Sequence, residues 1–288
     1  MLEHPLQDLE SWVLYFSGAE LPILRQTARR LEEAQRNIDE VSGRDIAHIV
    51  LQDPLMAVRV LAYIQPFVGK RLRSDITTIG SAVMMLGVEP FFRKFESPVT
   101  IEAMLGDEPQ ALLGALQVIR RAQRASRYAH DWAFARHDVN VEEVALAALL
   151  HDLAETLLCC FAPKLTQRIR AMQQADSTLR SAAAQETVLG IQAFDLQLAL
   201  CRAWHLPELL KTLMDDAHAD KPRVQNVTLA VNLARHSANG WDDAALPDDY
   251  TAIEQLLHIN RETLFARLRI PPEFLPPSPP DEDEAPAQ

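Results

Sequence analysis

The stretch NVEEVALAALLHDLAETLLCCFA, residues 140–162, decides the fold. It is apolar nearly all round, which marks a helix buried on every side. Asn140 followed by Glu143 has the spacing of a capping box, so one central buried helix is predicted from here through Ala162. Inside the apolar run, His151 and Asp152 sit side by side. Imidazole and carboxylate are the donors that hold a divalent metal for phosphate hydrolysis. In a buried helix such a pair must find hydrogen-bond partners whatever its role, since an unpaired polar group there costs a few kcal/mol.

Working outward, the neighbouring segments carry the same helical period. SGRDIAHIVLQDP has Ser42 as N-cap with Asp45 three residues on, and it stops before Pro54. Asp53 then caps the next helix, with Pro54 at its first position. That helix, PLMAVRVLAYI, places Leu55, Val58, Leu61 and Ala62 on one face. TTIGSAVMMLG is a short helix closed by Gly87, and PQALLGALQVIRRAQRASRYAHDWAFAR is long and amphipathic. TLRSAAAQETVLG, FDLQLALCRAWHLP, ELLKTLMDDAH, VQNVTLAVNLARHSANG, YTAIEQLLHI and NRETLFARL continue the pattern. No alternating strand pattern and no internal repeat is present.

The bulk composition agrees. Of 288 residues, 48% are apolar and only 9 are glycine, which supports a sizeable core and favours helix over strand. The net charge is −12; the end of the chain, PPEFLPPSPPDEDEAPAQ, holds five acids and no base, leaving about −7 on the body. That balance argues against broad nucleic-acid binding, which needs a positive surface to release counterions. Three cysteines, two of them adjacent (Cys159 and Cys160), form no disulfide framework or CxxC and read as reduced, buried thiols of a cytoplasmic protein. No uninterrupted apolar segment approaches 18 residues, so no membrane helix is expected, and MLEHPLQDLESW lacks the form of a signal peptide.

LPILRQTARRLEEAQ, then DIAHIVLQDPLMAVRVLAYI, then ITTIGSAVMMLG resemble the opening of the HDOD domain, the HD-related output domain of bacterial signalling. AALLHDLAETLL, ETVLG, AWHLP and DDAH follow in the family's order, so the resemblance covers roughly residues 15–240. It implies an all-α fold, a multi-helix bundle related to HD and HD-GYP phosphohydrolases with an N-terminal helical subdomain. The chain is divided accordingly into a lead-in (1–14), that subdomain (15–105), an HD-like subdomain (106–270) and a disordered acidic, proline-rich tail (271–288). One departure is YIQPF, where the family often has an Asn-Ser pair.

The resemblance also implies a ligand order for a working HD site: an early His, the His-Asp pair, later His residues and a final Asp. His151 and Asp152 match the pair. The early position falls in QVIRRAQRAS, which has Arg120 and Arg121 and no His. Ala154 and Glu155 stand where HD-GYP enzymes carry Gly and Lys, and a carboxylate there repels an anionic substrate. Ala193 replaces another expected His, Ala217-His218 retains one of a His-His pair, and Val231 or Asn232 stands at the final Asp. The metal set is therefore His151, Asp152 and His218, read as a vestige that fastens helices; one divalent metal held by these three is the alternative. His130, His137 and His205 read as surface or helix-end residues, and Trp204 as core. Arg120, Arg121, Arg124 and Arg127 read as a solvated helix face, with a phosphate or nucleic-acid stripe as the alternative.

The expectation is a non-catalytic output or scaffold module that needs no cofactor and binds a signalling protein, without membrane or nucleic-acid partners. Two further readings stay open: a metal-dependent phosphohydrolase of nucleotides or cyclic dinucleotides, and a non-catalytic nucleotide sensor. The sequence leaves the oligomeric state open.

Overall fold

The computed structural model describes residues 1–71, 75–176 and 178–274. The first half of the chain runs through α1 (Leu9–Gly18), α2 (Arg25–Arg36), α3 (Gly43–Val50), α4 (Pro54–Arg71), α5 (Ile79–Leu86), α6 (Val88–Lys94) and α7 (Ile101–Met104). The second half comprises α8 (Pro109–Ala135), α9 (Val141–Leu150), α10 (Leu153–Phe161), α11 (Pro163–Ala175), α12 (Ser181–Leu189), α13 (Ala193–Ala203), α14 (Glu208–Leu213), α15 (Pro222–His236), α16 (Leu246–Leu257) and α17 (Arg261–Leu268). Short 3-10 turns occupy Asp216–His218 and Pro272–Phe274. Among the described residues there is no strand, and one isolated bridge joins Ile23 to Thr100. The fold is all-α. Of the tail expected to be disordered, residues 275–288 lie outside the described residues.

The helices of the first half start where local chemistry satisfies their free N–H groups. Ser42 and Asp45 form the expected capping box on α3. Asp53, fully buried, accepts from Leu55 N and Met56 N at 3.0 and 3.1 Å and so caps α4. Its second oxygen accepts from Leu24 N at 2.7 Å. Arg59, a turn and a half on, donates to Leu21 O at 2.7 Å. The Asp-Pro pair therefore does two jobs: it starts α4 and anchors the segment leading into α2. Gly87 ends α5 at φ +81°, a conformation that favours glycine.

In the second half, α8 packs along α9, α10 and α15, and α9 also packs on α14 and α15. α1 packs on α13, and its buried Trp12 and Phe16 stack together while Phe16 meets Phe161 edge-on. The N-terminal residues thus lie against the second half rather than with α2–α7. One apolar cluster runs through both halves, from Trp12 to Ile270. Polar links cross between them as well. Thr77 donates to Glu143 at 2.6 Å, and Gln123 donates to Gln52 O at 2.6 Å.

Two local expectations are corrected. The central helix is two helices: His151 and Asp152 form a turn between α9 and α10, and Asp152 leaves helical geometry at φ −101°, ψ 27°. The Asn140–Glu143 capping box is not made. Asn140 makes no side-chain cap, and Glu143 is drawn inward by Thr77 and Arg223, whose charge-assisted bonds outweigh a local cap. Val141–Phe161 has the length and mean composition of a membrane span, but 89% of its most apolar window is buried in the fold's own core.

Candidate functional site

The break at residues 151–152 is held open by a side chain from another helix. Interrupting a helix frees backbone groups that need partners in a buried setting. Gln197 on α13, itself buried, supplies them: its Oε1 accepts from Ala154 N at 2.8 Å and its Nε2 donates to Leu150 O at 2.7 Å. Thr156 closes the new first turn by donating to Asp152 O at 3.0 Å. The consequence is directional: His151 and Asp152 stand on the turn between α9 and α10, where the Asp152 carboxylate meets cations from α8 and α15.

Asp152 is surrounded by cations. Arg121 from α8 approaches its Oδ2 with Nε at 2.9 Å and Nη2 at 2.7 Å. Arg235 from α15 reaches Oδ1 at 3.2 Å. His151 Nδ1 lies 3.2 Å from the same Oδ1. Arg121 Nη2 also reaches Glu155 Oε2 at 2.5 Å. The Arg121 and Asp152 side chains are 15% and 9% exposed, so this is an interior charge network. Burial by itself would raise the Asp152 pKa. Arg121, the His151 hydrogen bond and Arg235 outweigh it and hold the carboxyl well below the ordinary carboxylate value. Arg121 is likewise opposed by burial, but Glu155 and Asp152 raise its pKa above the usual arginine value.

The arginine face of α8 divides, which corrects the solvated-stripe expectation. Arg120 and Arg127 are exposed. Arg121 turns to Asp152, and Arg124 donates to Ser237 O at 3.1 Å and Ser237 Oγ at 2.8 Å. Positions 121 and 124 are one turn apart on a helix packed against α9, α10 and α15, so both meet the interior.

Among the described residues, no hydrogen bond or ion pair joins His218 to His151 or Asp152. His151 and Asp152 meet each other. His218, on the 3-10 turn Asp216–His218, has its Nδ1 3.5 Å from Asp215 Oδ2. Among the described residues, no group of three or more His, Cys, Asp or Glu side chains is arranged to hold a metal ion. His151 Nε2 is buried without a hydrogen-bond partner among those residues, yet one imidazole nitrogen falls short of the three protein ligands of a catalytic site. The formal charges of Arg121 and Arg235 balance those of Asp152 and Glu155. A divalent ion at Asp152 would have to displace the Arg121 guanidinium. The residues present therefore do not fit a metal. His130 and His205 are exposed, as is His137, and Trp204 is half-buried against the core.

The family model for the HDOD domain matches residues 21–220. The chain belongs to the HDOD family. The match ends at Asp220, so Arg235 lies beyond it while Arg121 and the His-Asp turn lie within. Among solved structures, the chain is similar to the MmoQ response regulator of Methylococcus capsulatus strain Bath, at 18% identity over 88% of this chain and 98% of that one, with a TM-score of 0.68. A virulence factor of Campylobacter jejuni subsp. jejuni aligns at 19% identity over 92% of this chain and 93% of that one, with a TM-score of 0.63. At these identities the likeness is one of fold. A comparison with curated proteins gives no match. Within this HDOD fold, sequence reasoning noted the arginine at the early His position but missed what it does. It also missed Arg235, Gln197 and the whole of α11. Arg235 lies one helical turn after Val231, the position read for the final Asp, and that spacing was the available signal for it.

Proposed function

We propose that this HDOD chain is a non-catalytic output module of signal transduction that acts by docking a protein partner. The observation that carries the reading is the neutralisation of Asp152 by Arg121 and Arg235. A carboxylate facing two guanidiniums has no open side from which to bind a metal and activate water. In this reading the His-Asp turn fastens α9 and α10 to α8 and α15, giving a rigid bundle that presents its outer surfaces. Phe134, 71% exposed near the end of α8, is an aromatic of the kind enriched in protein interfaces, and Val139, 96% exposed, extends the apolar surface beside the helix end. The fold shared with a protein described as a response regulator supports the signalling context.

The test compares the wild-type protein with His151→Ala and Phe134→Glu. Each is incubated with bis(p-nitrophenyl) phosphate and with cyclic dinucleotides in Mn²⁺, Fe²⁺ or Mg²⁺, and protein-bound metal is quantified. The expected result is no turnover above the blank and the same metal content in wild type and His151→Ala. Turnover, or about one metal per chain, lost in His151→Ala would overturn the reading. Partners captured by the wild-type protein should be lost with Phe134→Glu at unchanged melting temperature.

A further inference from the structure

A cavity of about 290 Å³ lies beside the charge cluster, walled by α8, α10, α11, α12 and α15. Its wall brings together three guanidiniums that are far apart in sequence: Arg121, Arg170 and Arg235. Glu155 is the carboxylate in the lining, and Arg121 already neutralises it. The lining carries a formal charge of +2, and with Asp152, which Arg121 and Arg235 face from behind it, the cluster keeps +1, in a protein whose overall charge is −12. The Cys159 thiol in the wall is pushed up to about 12 by burial, so it stays protonated and adds no competing negative charge.

Two of the three arginines keep donors available. A guanidinium has five N–H groups. Among the described residues, Arg235 makes one bond, to Asp152 at 3.2 Å, and its side chain is 45% exposed. Among the described residues, Arg170 makes one hydrogen bond, to Gly114 O at 3.3 Å. The position of Arg170 depends on Gly114: a Cβ there would lie 2.7 Å from Arg170 Nη1. Leu158 and Ile169 supply an apolar wall, and Gln173 and Gln185 supply amides. Planar forks that bind phosphate, an apolar face and amide groups in one cavity define a ligand class. The volume is at the low end of small-molecule sites, roughly 300 Å³ and upward, which suits one nucleotide better than a dinucleotide.

We propose that this cavity binds a nucleoside monophosphate, with Arg170 and Arg235 holding the phosphate and Leu158 and Ile169 packing against the base or ribose. The site works by binding alone and does not depend on protein docking. Occupancy would draw Arg235 from Asp152, which connects the pocket to the His-Asp turn.

Isothermal titration of the full chain tests this with AMP, GMP, CMP and UMP, with adenosine and guanosine, and with inorganic phosphate. At least one monophosphate should saturate the protein with a Kd below about 1 mM, and the nucleosides and inorganic phosphate should bind at least tenfold more weakly. Arg235→Gln and Arg170→Gln should each weaken that monophosphate by about tenfold or more, as loss of a hydrogen bond to a charged group does. Gly114→Ala, which displaces Arg170 without changing the identity of any lining residue, should weaken it in the same direction. Arg168→Gln, exposed on α11 and outside the lining, should leave it unchanged. Circular dichroism confirms that each variant is folded. Saturation by none of the monophosphates, tighter binding of free phosphate than of any nucleotide, or affinity unchanged in both arginine variants would each overturn the proposal.

Discussion

Replacing Arg121 with Met keeps the length and apolar stem of the side chain and removes its charge. Asp152, 9% exposed, then keeps Arg235 and His151 at 3.2 Å but loses the guanidinium that held Oδ2 at 2.7 and 2.9 Å. Removing one member of a buried ion pair typically costs about 3–5 kcal/mol. The two remaining partners, and the 31% exposure of Glu155, place the cost at the lower end, about 3 kcal/mol. At roughly 2–4 °C per kcal/mol for a chain of this size, Tm should fall by about 6–12 °C. Adding Asp152→Asn should recover part of the loss, with a coupling of about 1–2 kcal/mol in a double-mutant cycle. The effect also depends on pH with a defined sign. The folded Asp152 pKa is held below its unfolded value of about 3.9, so its contribution is complete above that value and is lost as pH falls through the folded pKa. The cost of Arg121→Met should therefore be full at pH 7 and shrink below about pH 4. Urea titrations followed by circular dichroism at both pH values measure all of this. A cost under about 1 kcal/mol at pH 7, or additive single mutants, would refute the view that Arg121 supplies the positive charge at Asp152.

Asp53→Ala removes an N-cap and leaves the Leu24, Leu55 and Met56 N–H groups without their acceptor, so chemical denaturation should show a loss of about 3 kcal/mol. Gln197→Met keeps the side-chain volume but strands Ala154 N and Leu150 O; a loss of roughly 2–4 kcal/mol is expected, with faster hydrogen exchange at Ala154. Cys159, Cys160 and Cys201 are all buried, and burial raises each pKa, for Cys159 and Cys201 to about 12. A thiol-reactive dye at pH 7.4 should therefore leave the native protein unmodified and label the three thiols only after denaturation.

The amino-acid sequence by itself determined the helical class, the long amphipathic α8, the Ser42–Asp45 box, the Asp53 cap and the Gly87 stop. Each of these depends on residues within a few positions of one another, where spacing and capping chemistry act without help from the rest of the chain. The order of short motifs carried the family. α11 escaped notice although Leu165, Ile169 and Met172 recur at helical spacing, because its other positions are polar. The break at His151–Asp152 was invisible because the groups that stabilise it belong to Gln197, 43 residues beyond Ala154. The charge cluster followed the same rule. Arg121, Asp152 and Arg235 are spread over more than a hundred positions, and only the packing of α8, α10 and α15 brings them together. Electrostatic partnership acts through space, so the tertiary structure alone decided that guanidiniums face the Asp152 carboxylate.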